Sequence, residues 1–379
     1  MARDKKKKIR AQFRKNYESR TRQGDLTRDF HEHRFEDDET VQSERVSGKG
    51  ELTRKRTVIG AEVDEEETGG LSVHLEVDES VCRPGRVLAV HGIISVVRAE
   101  DGQIFRCATR RLLKTLSSDQ RHVVVAGDRV LFRPEANNEG IIERIESRHG
   151  LIGRTSRGRQ HVLVANVDVL LIVTSAAEPN LKPNLIDRLL VTAEKAEIAP
   201  VICINKIDLV DPADLQPLVG VYGQMGYEVL LLSAVTGFGV ERLARRVIGR
   251  ESVMTGQSGV GKSSLLNAIE PDLDLRVRTV SEENQKGRHT TTTAQLIPLS
   301  EGGYIVDTPG IRQFQLWDVI PEEVAGYYPD IRPYVSLCRF PDCTHTHEAN
   351  CAVKDAVADG RLDARRYESY CHLFAGDAE

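Results

Sequence analysis

The sequence contains no apolar stretch approaching the ~20 consecutive residues that a membrane-spanning helix requires. Its first residues are also too highly charged for a secretory signal peptide. These two absences predict a cytoplasmic protein with no membrane association. With 379 residues, of which 40% are hydrophobic and 29% charged, the composition is typical of soluble globular proteins, and the chain is long enough for two or three domains.

Cysteine is scarce as well: the chain has seven, an odd number. Three of them fall within residues 338–351. An odd count with this clustering argues against a disulfide framework. It favours a reducing compartment and a metal site near the C-terminus.

Charge is distributed unevenly, although the net charge is only −5. Residues 1–22 carry ten basic and two acidic residues, whereas residues 25–44 carry two arginines and eight acidic residues. Neither segment has apolar periodicity, so we predict that residues 1–70 form a disordered, charged extension. The basic arm either contacts nucleic acid by counterion release or serves only as a solubilising tail.

Residues 71–150 contain a succession of short β-like segments separated by turn signals. The segments lie at residues 87–90, 94–99, 104–110, 123–133 and 140–146. Five short strands in so little chain predict a small barrel of the OB-fold type. The segment is rich in arginine: Arg86, Arg98, Arg106, Arg110, Arg111, Arg129 and Arg133. We therefore favour an RNA-binding barrel over a spacer barrel with a solvated basic face.

Residues 151–317 change to alternating apolar runs and helical patterns. The run 167–176 is apolar throughout, as in a buried parallel strand, and residues 184–198 have helical spacing. The alternation continues through about six strands. It predicts a doubly wound α/β domain whose ligands lie at the carboxyl ends of the strands.

The segment GQSGVGKS at 256–263 has the spacing of a phosphate-binding loop between a strand and a helix. Its glycines let backbone N–H groups point at phosphate oxygens, and the helix adds its positive end. Lys262 is predicted to reach the β- and γ-phosphates during catalysis, and the Ser263 hydroxyl to bind Mg²⁺. The predicted phosphate contacts are Gly256, Gln257, Ser258, Gly259, Val260, Gly261, Lys262, Ser263 and Ser264.

The choice of base is assigned to the segment Asn205-Lys206-Ile207-Asp208. The Asp208 carboxylate can accept both neighbouring donors of guanine, whereas adenine would face it with an acceptor, so an ATPase is disfavoured. Asn205 either contacts the base edge or braces the phosphate loop, and the Lys206 stem covers the purine face. Ser233 and Ala234 follow the next strand and fit the loop that contacts the guanine carbonyl oxygen.

Two downstream segments fit the nucleotide-sensing switches. In Asp307-Thr308-Pro309-Gly310, we expect Asp307 to hold Mg²⁺ through water and the Gly310 N–H to contact the γ-phosphate. In the loop 287–293, Thr291 is predicted to complete the Mg²⁺ shell. Thr290 and Thr292 are its alternatives.

The residue after Gly310 is Ile311, which cannot orient a water molecule by hydrogen bonding. Intrinsic hydrolysis is therefore predicted to be slow, with the missing group supplied by His289 or by a partner. The other interpretation of His289 is an ordinary surface-loop histidine. Along the chain, the elements run base, carbonyl loop, phosphate loop, switch I and switch II, a cyclic rotation of the usual GTPase order.

The spacing Cys338-x4-Cys343-x-His345-x5-Cys351 offers three thiolates and one imidazole. Four protein ligands are typical of a closed, structural zinc site, one per chain. His347 is a competing ligand, and buried cysteines beside solvated histidines are the alternative to a metal site. Cys82, Cys107, Cys203 and Cys371 are predicted to be unligated. We predict a zinc-binding, mostly helical domain over residues 318–379, whose tail offers Arg361, Arg365 and Arg366 to a partner.

A rotated GTPase preceded by a barrel resembles the RsgA (YjeQ) family of small ribosomal subunit biogenesis GTPases. The resemblance rests on NKIDL, GQSGVGKSSLLNA, GRHTTT, DTPG and the cysteine cluster, and covers residues 80–375. It implies a circularly permuted GTPase domain and His345 as the zinc-binding histidine. It also implies binding to the small (30S) ribosomal subunit and its rRNA, late subunit maturation, and GTP hydrolysis stimulated by that subunit. The cofactors would be GTP or GDP, Mg²⁺ and Zn²⁺, and we expect a monomer.

Two other function classes compete with this interpretation. One is an RNA-binding assembly checkpoint factor in which the nucleotide acts mainly as a ligand. The other is a zinc-dependent hydrolase with a vestigial nucleotide domain, which the intact Lys262 and Asp208 and the closed set of four ligands argue against. Because switch II leads after a few residues into the zinc-bearing region, we also predict that the GTP and GDP states present the barrel and this region to RNA at different angles.

Overall fold

The computed structural model describes residues 8–12, 55–59, 61–65, 71–75, 77–110, 113, 123–156, 159–273, 294–307 and 319–376. The chain divides into two compact units, Met1–Ser147 and Arg148–Glu379. Within these described ranges, no helix is both long and apolar enough to span a lipid bilayer.

Four short strands precede the barrel. They are β1 (Lys8–Gln12), β2 (Lys55–Ile59), β3 (Ala61–Glu65) and β4 (Leu71–Leu75). β1 pairs with β2 and β3 with β4, both antiparallel. The rest of residues 1–70 lies outside the described ranges, so the disordered extension stays a prediction, as do the domain boundaries at 70, 150 and 317.

Five strands then close into a barrel. They are β5 (Arg83–His91), β6 (Ile94–Ala99), β7 (Ile104–Thr109), β8 (Arg129–Pro134) and β9 (Glu139–Ile145). Neighbouring pairs β5–β6, β6–β7, β8–β9 and β5–β8 are antiparallel, and β7–β9 is parallel. This closed circuit confirms the predicted OB-like barrel. The strands form because apolar residues alternate with polar ones. The alternation places Val97, Phe105 and Phe132 in the interior, each at most 3% exposed.

A hairpin that was not predicted follows the barrel: β10 (Ile152–Ser156) pairs antiparallel with β11 (Arg159–Val164). Gly153, Arg154, Thr155 and Ser156 face Val162, His161, Gln160 and Arg159 across the hairpin. The apolar residues of β11 are confined to the run Val162-Leu163-Val164, which is too short for periodicity to indicate a strand. The hairpin is defined by its cross-strand pairing instead.

The second unit is built on a six-stranded sheet. Its strands are β12 (Val169–Ser175), β13 (Ala199–Asn205), β14 (Glu228–Leu231), β15 (Glu251–Thr255), β16 (Gln295–Pro298) and β17 (Tyr304–Asp307). They lie in the order β14-β13-β12-β15-β17-β16, all parallel except β16. The chain therefore winds outward from β12 in one direction and from β15 in the other. This arrangement confirms the doubly wound sheet and places its switch point between β12 and β15.

Helices connect these strands: α1 (Pro183–Lys195), α2 (Gln216–Gln224), α3 (Val240–Val247) and α4 (Lys262–Ile269). The bounds of α4 are those predicted, because the glycine loop before it gives a sharp start. Helix α1 buries Ile186, Leu189 and Leu190 at helical spacing, as expected. The central core lies under β12 and β15, with Leu171, Cys203 and Leu265 inaccessible to solvent.

The C-terminal region is a short 3-10 helix followed by α5 (Arg332–Val335), α6 (Ala352–Ala358) and α7 (Ala364–Ala375). The tail 354–374, which we predicted to be helix-prone, is thus divided between two helices. Helix α7 begins afresh because the Asp363 carboxylate accepts a hydrogen bond from the Arg365 N–H at 2.9 Å. The core of this region includes Val191 of α1, so it packs directly against the nucleotide-binding sheet's first helix.

Candidate nucleotide and metal sites

The phosphate loop connects β15 to α4 through backbone that only glycine fits. Gly256 has φ of +146°, and a Cβ there would lie 1.9 Å from the Val173 carbonyl oxygen. A Cβ on Gly261 would lie 2.3 Å from Asn205 Nδ2. Because both positions are closed to a side chain, the loop curls tightly over the end of the sheet.

Lys262 is the first residue of α4, and its ammonium folds back over the loop. Nζ donates to the carbonyl oxygens of Gly256 and Gln257 at 2.8 and 2.6 Å. Ser263 and Ser264 follow in the first helical turn and are partly exposed. The loop thus concentrates a lysine, hydroxyl groups and the positive end of a helix, a combination suited to phosphate.

Asn205 ends β13 and links the phosphate loop to the base-recognition loops. Its side chain is 1% exposed; Nδ2 donates to the Val260 carbonyl oxygen at 2.8 Å, and Oδ1 accepts from the Ala234 N–H at 3.1 Å. Of the two roles considered from the sequence, the bracing contact with the phosphate loop is the one present in the structure.

Asp208 lies just beyond Asn205 and is exposed, with one carboxylate oxygen fixed. The buried Ser233 hydroxyl donates to Asp208 Oδ1 at 2.5 Å and accepts from the Thr236 N–H at 3.1 Å. Sequence reasoning assigned Ser233 only to the guanine-carbonyl loop. The structure adds that Ser233 orients the carboxylate. Lys206 has a left-handed backbone, with φ of +62°, and its ammonium donates to the Glu178 carbonyl oxygen.

The switch residues are only partly within the described ranges. β17 ends at Asp307 and pairs with β15, so Asp307 is the last residue of the strand beside the one that leads into the phosphate loop. His289 and Thr291 lie within 274–293 and Gly310 within 308–318, both outside the described residues. Their predicted roles stay predictions.

The four predicted metal ligands come together. The donor atoms of Cys338, Cys343, His345 and Cys351 all lie within 4.8 Å of one another. Cys338 Sγ is 3.8 Å from Cys351 Sγ, and His345 Nδ1 is 3.4 and 3.5 Å from these two sulfurs. Tetrahedral zinc with Zn–S of about 2.3 Å and Zn–N of about 2.0 Å would separate sulfurs by about 3.8 Å and sulfur from nitrogen by about 3.5 Å. The cluster therefore fits zinc.

The burial of the two histidines shows which of them belongs to the site. Burial also shifts the pKa values of the candidate ligands. His345 is 2% exposed and belongs to the cluster, whereas the His347 side chain is 81% exposed and does not belong to it. Burial raises the pKa of the Cys343 thiol to about 12 and lowers the pKa of His345. A bound cation would offset the first effect, because it stabilises the thiolate.

Residues that the sequence analysis missed hold the metal loop in place. The Tyr367 and Tyr370 hydroxyls donate to the carbonyl oxygens of His345 and Thr344, each at 2.8 Å. Glu348 Oε1 accepts from the Thr344 N–H and hydroxyl at 2.8 and 2.6 Å, and the hydroxyl bond lowers the pKa of Glu348 to about 2. The signal available in the sequence was the Tyr-x-x-Tyr spacing, which places both rings on one face of α7.

The prediction that Arg366 faces a partner is wrong, because its side chain is 4% exposed and forms an internal ion pair. It donates to Asp187 of α1 at 2.5 Å and to both oxygens of Asp330 at 3.0 Å. Its guanidinium lies 4.3 Å from the Tyr328 ring centroid. Burial alone would lower the pKa of Arg366, but hydrogen bonding to Asp330 and the Asp187 charge raise it. Arg366 thus joins the C-terminal region to α1 of the six-stranded sheet.

The other four cysteines, which were predicted to be unligated, lie in different environments. Cys107 and Cys203 are buried, and Cys82 and Cys371 are partly exposed. All four lie outside the metal cluster, which is the only set of three or more such ligands found among the described residues.

Comparison with known proteins agrees with this architecture. The family model "RsgA GTPase" matches residues 145–317. The "Small ribosomal subunit biogenesis GTPase RsgA" of Thermotoga petrophila is 40% identical over 299 residues, which cover 78% of this chain and 97% of that protein. The protein of the same name from Sodalis glossinidius is 38% identical over 305 residues, covering 78% and 86%.

Solved structures show the same likeness. The crystal structure of YjeQ from Thermotoga maritima matches with a TM-score of 0.65 and 37% identity, covering 78% of this chain and 98% of that one. YloQ, described as a circularly permuted GTPase, matches with a TM-score of 0.62 and 30% identity, covering 79% and 96%. With its barrel, rotated order of nucleotide-binding elements and Cys3His cluster, this chain is a GTPase that belongs to the RsgA family.

Proposed function

We propose that the protein binds the small (30S) ribosomal subunit and its rRNA, assists late maturation of that subunit, and hydrolyses GTP to GDP and phosphate when bound to it. The observation that carries the proposal is the pair of hydrogen bonds made by the buried Asn205 side-chain amide. One bond holds the phosphate loop and the other holds the base-recognition loop. The relatives named as small ribosomal subunit biogenesis GTPases supply the partner. Such a role suits a monomer in the cytoplasm, where ribosomes assemble.

Guanine recognition is assigned to Asp208. One of its oxygens is fixed by the Ser233 hydroxyl, so the carboxylate is oriented before a base arrives. The exposed side of the carboxylate can accept the two neighbouring donors of guanine. Lys206 would lie along the purine face, and the Ala234 N–H would approach the guanine carbonyl oxygen.

Replacing Asp208 with asparagine is expected to weaken GTP binding by about 100-fold and to shift preference toward xanthine nucleotides. The amide presents a donor to the guanine N1–H and leaves it unpaired, at a cost of about 1–3 kcal/mol. Xanthine carries a carbonyl where guanine carries its amine and accepts from the amide. Titrations of the wild type and the variant with GTP and XTP measure the shift; an unchanged preference would refute the assignment.

Phosphate binding is assigned to the backbone of 256–261 and to Lys262, whose ammonium already lies at the loop. Ser263, Thr291 and Asp307 would hold Mg²⁺, which supplies charge neutralisation between the β- and γ-phosphates. The Gly310 N–H would contact the γ-phosphate. The contribution of the protein is positioning and electrostatic stabilisation rather than covalent chemistry.

Cys338, Cys343, His345 and Cys351 would hold one zinc ion per chain in a structural role. All four positions of a tetrahedral ion are taken by protein atoms, so no position is left for a reacting water molecule. This closed set disfavours a zinc-dependent hydrolase.

The experiment that tests the proposal is GTP hydrolysis by the purified protein, alone and with small subunits, using large subunits as a control. We expect slow intrinsic turnover, because Ile311 cannot orient water, and strong stimulation by small subunits only. His289→Ala should lose the stimulated rate if His289 supplies the missing group. Tight GTP binding with near-zero turnover in the presence of small subunits would instead favour the assembly checkpoint factor.

A further inference from the structure

Two cavities that open to solvent are lined by ligands of the metal cluster, and their charges differ. The first, of about 480 Å³, is lined by Cys338, Arg332 and Phe340. The second, of about 590 Å³, is lined by Cys343 and by three acidic residues: Glu322, Glu323 and Asp342. A small solute can therefore approach the cluster through a basic opening at Cys338 or through an acidic opening at Cys343.

The three thiols of the cluster differ in exposure. Cys338 and Cys343 are partly exposed, whereas Cys351 is 1% exposed. Cys351 is thus shielded from a solute, yet its sulfur lies only 3.8 Å from the Cys338 sulfur. A disulfide needs a sulfur–sulfur distance of about 2.05 Å, so this pair has to close by about 1.8 Å. Cys338 is placed to meet a solute first, and Cys351 is placed to react with Cys338 afterwards.

Sulfurs that hold zinc are nucleophilic at neutral pH. A zinc-bound sulfur is a thiolate, and the thiolate rather than the thiol attacks a peroxide. The two partly exposed cysteines outside the cluster lack this advantage, because burial raises the pKa of the Cys82 and Cys371 thiols. The remaining two, Cys107 and Cys203, are buried. Among the seven cysteines, those of the cluster are therefore the ones expected to react.

The charges of the two cavities favour attack at Cys338 over attack at Cys343. When a thiolate attacks a peroxide, negative charge develops on the departing hydroxide. The Arg332 guanidinium shares the cavity of Cys338 and stabilises that charge, whereas the carboxylates in the cavity of Cys343 oppose it. The oxidant is thus expected to react first with Cys338.

We propose that Cys338 is a site of reversible oxidation by hydrogen peroxide, with Cys351 as the cysteine that completes a disulfide. The Cys338 thiolate attacks one peroxide oxygen: an S–O bond forms, the O–O bond breaks, and hydroxide leaves with the electron pair. The Cys351 thiolate then attacks the Cys338 sulfur, so that the S–S bond forms, the S–O bond breaks and a second hydroxide leaves. The two thiolates together lose two electrons, which reduce one peroxide. Each hydroxide takes a proton from the solvent and becomes water.

The disulfide occupies two of the four metal ligands, so zinc is released. The Tyr367 and Tyr370 hydroxyls join the metal loop to α7, and α6 begins directly after Cys351. Oxidation should therefore loosen both helices, and a dithiol reductant with added zinc should restore them. The inference rests on the proposed zinc site, so the zinc content is measured before peroxide is added.

The test treats the full-length, zinc-loaded protein with hydrogen peroxide. A chromogenic chelator follows zinc release, and mass spectrometry maps the cysteines after the remaining thiols have been blocked. The informative variant is Arg332→Gln, which leaves all four ligands in place. The matched control is Arg361→Gln, which removes the same charge from an exposed position of the same region that lines neither cavity.

In the wild type we expect loss of the zinc together with a disulfide between Cys338 and Cys351, while the four cysteines outside the cluster stay reduced. Arg332→Gln should release zinc about fivefold more slowly, because a solvent-screened charge near the reacting atoms changes a rate by about that factor. Arg361→Gln should release zinc at the wild-type rate. Hydrogen exchange over residues 352–375 should rise on oxidation and return to its first value after reduction with zinc present.

Two results would overturn the assignment to Cys338: equal rates of zinc release in Arg332→Gln and Arg361→Gln, or a disulfide that joins Cys343 to Cys351. Full retention of zinc in excess peroxide would overturn the inference alone and leave the proposed zinc site intact. A purified protein that binds no zinc would refute the proposed metal site, and the inference with it.

Discussion

Replacing Arg366 with methionine is expected to destabilise the protein by about 3–5 kcal/mol. The reason is that the substitution removes the positive charge facing Asp187, whose side chain is 1% exposed. A buried carboxylate without a cation must either remain ionised in an apolar environment or take up a proton. Both alternatives raise the free energy of the folded state.

The effect is large because the buried Arg366 guanidinium contacts several side chains at once. The guanidinium binds both oxygens of Asp330 at 3.0 Å and lies over the Tyr328 ring, while the Tyr222 hydroxyl donates to Asp187 at 2.8 Å. Methionine fills a similar volume but forms none of these hydrogen bonds. Several partners therefore lose their bond at once.

Urea unfolding followed by circular dichroism measures the change in the free energy of unfolding. The matched control is Arg365→Met, because Arg365 is half-exposed and pairs at the surface with Asp363, an interaction worth about 0–1 kcal/mol. The double variant Asp187→Leu with Arg366→Met should recover much of the loss, since the buried charge is then removed as well. Equal effects of Arg366→Met and Arg365→Met would contradict the account.

The contacts of Arg366 also bear on how a change of the bound nucleotide would be transmitted to the C-terminal region. We predicted that the GTP and GDP states present this region at different angles. Arg366 on α7 holds Asp187 on α1, and Lys195 of α1 pairs with Glu323 at 2.9 Å. A displacement of the region must either break these contacts or carry α1 with it. A movement that breaks these contacts is opposed by their free energy, and Arg366→Met should lower that cost.

The substitution Cys351→Ser is expected to abolish stoichiometric zinc binding and to unfold the region around α6 and α7. Cys351 is 1% exposed, and its sulfur lies within 3.8 Å of both Cys338 Sγ and His345 Nδ1. Apparent free energies of zinc binding to small zinc modules are about 10–16 kcal/mol, so we expect metal binding to contribute several kcal/mol to the stability of this region.

Elemental analysis gives the zinc content, and hydrogen exchange over residues 352–375 reports whether the region is folded. Cys371→Ser and His347→Ala are matched controls, because Cys371 is a free cysteine outside the cluster and the His347 side chain is 81% exposed. Both should retain one zinc ion per chain. A Cys351→Ser protein with full zinc content would show that the cluster is not the metal site.

The phosphate loop and the metal ligands could be predicted because each depends on spacing within a short segment, and the doubly wound sheet because each of its strands and helices has a local pattern of its own. Gly256, Gly261 and Lys262 lie within one loop, and the four metal ligands lie within fourteen residues. Such patterns act through local backbone geometry and the chemistry of a few side chains, both of which can be read directly. The bounds of α4 and β6 match the predictions for the same reason.

Other features depend on residues that are distant in the chain. Asn205 meets Val260, 55 positions away, and Arg366 meets Asp187, 179 positions away. From the sequence alone, Arg366 could not be distinguished from Arg361 and Arg365, and all three were predicted to face a partner. The hairpin β10–β11 was missed because the apolar run of β11 has only three residues, whereas the cross-strand pairing that defines the hairpin is seen only in the folded chain.

The sequence by itself determined the class of nucleotide, the rotated order of the sites, the barrel and the set of metal ligands, because these follow from residue type and local spacing. Only the tertiary structure decided which amide braces the phosphate loop, which serine orients Asp208 and which arginine is buried. Burial and cross-strand register are properties of the packed chain, and no local pattern contains them.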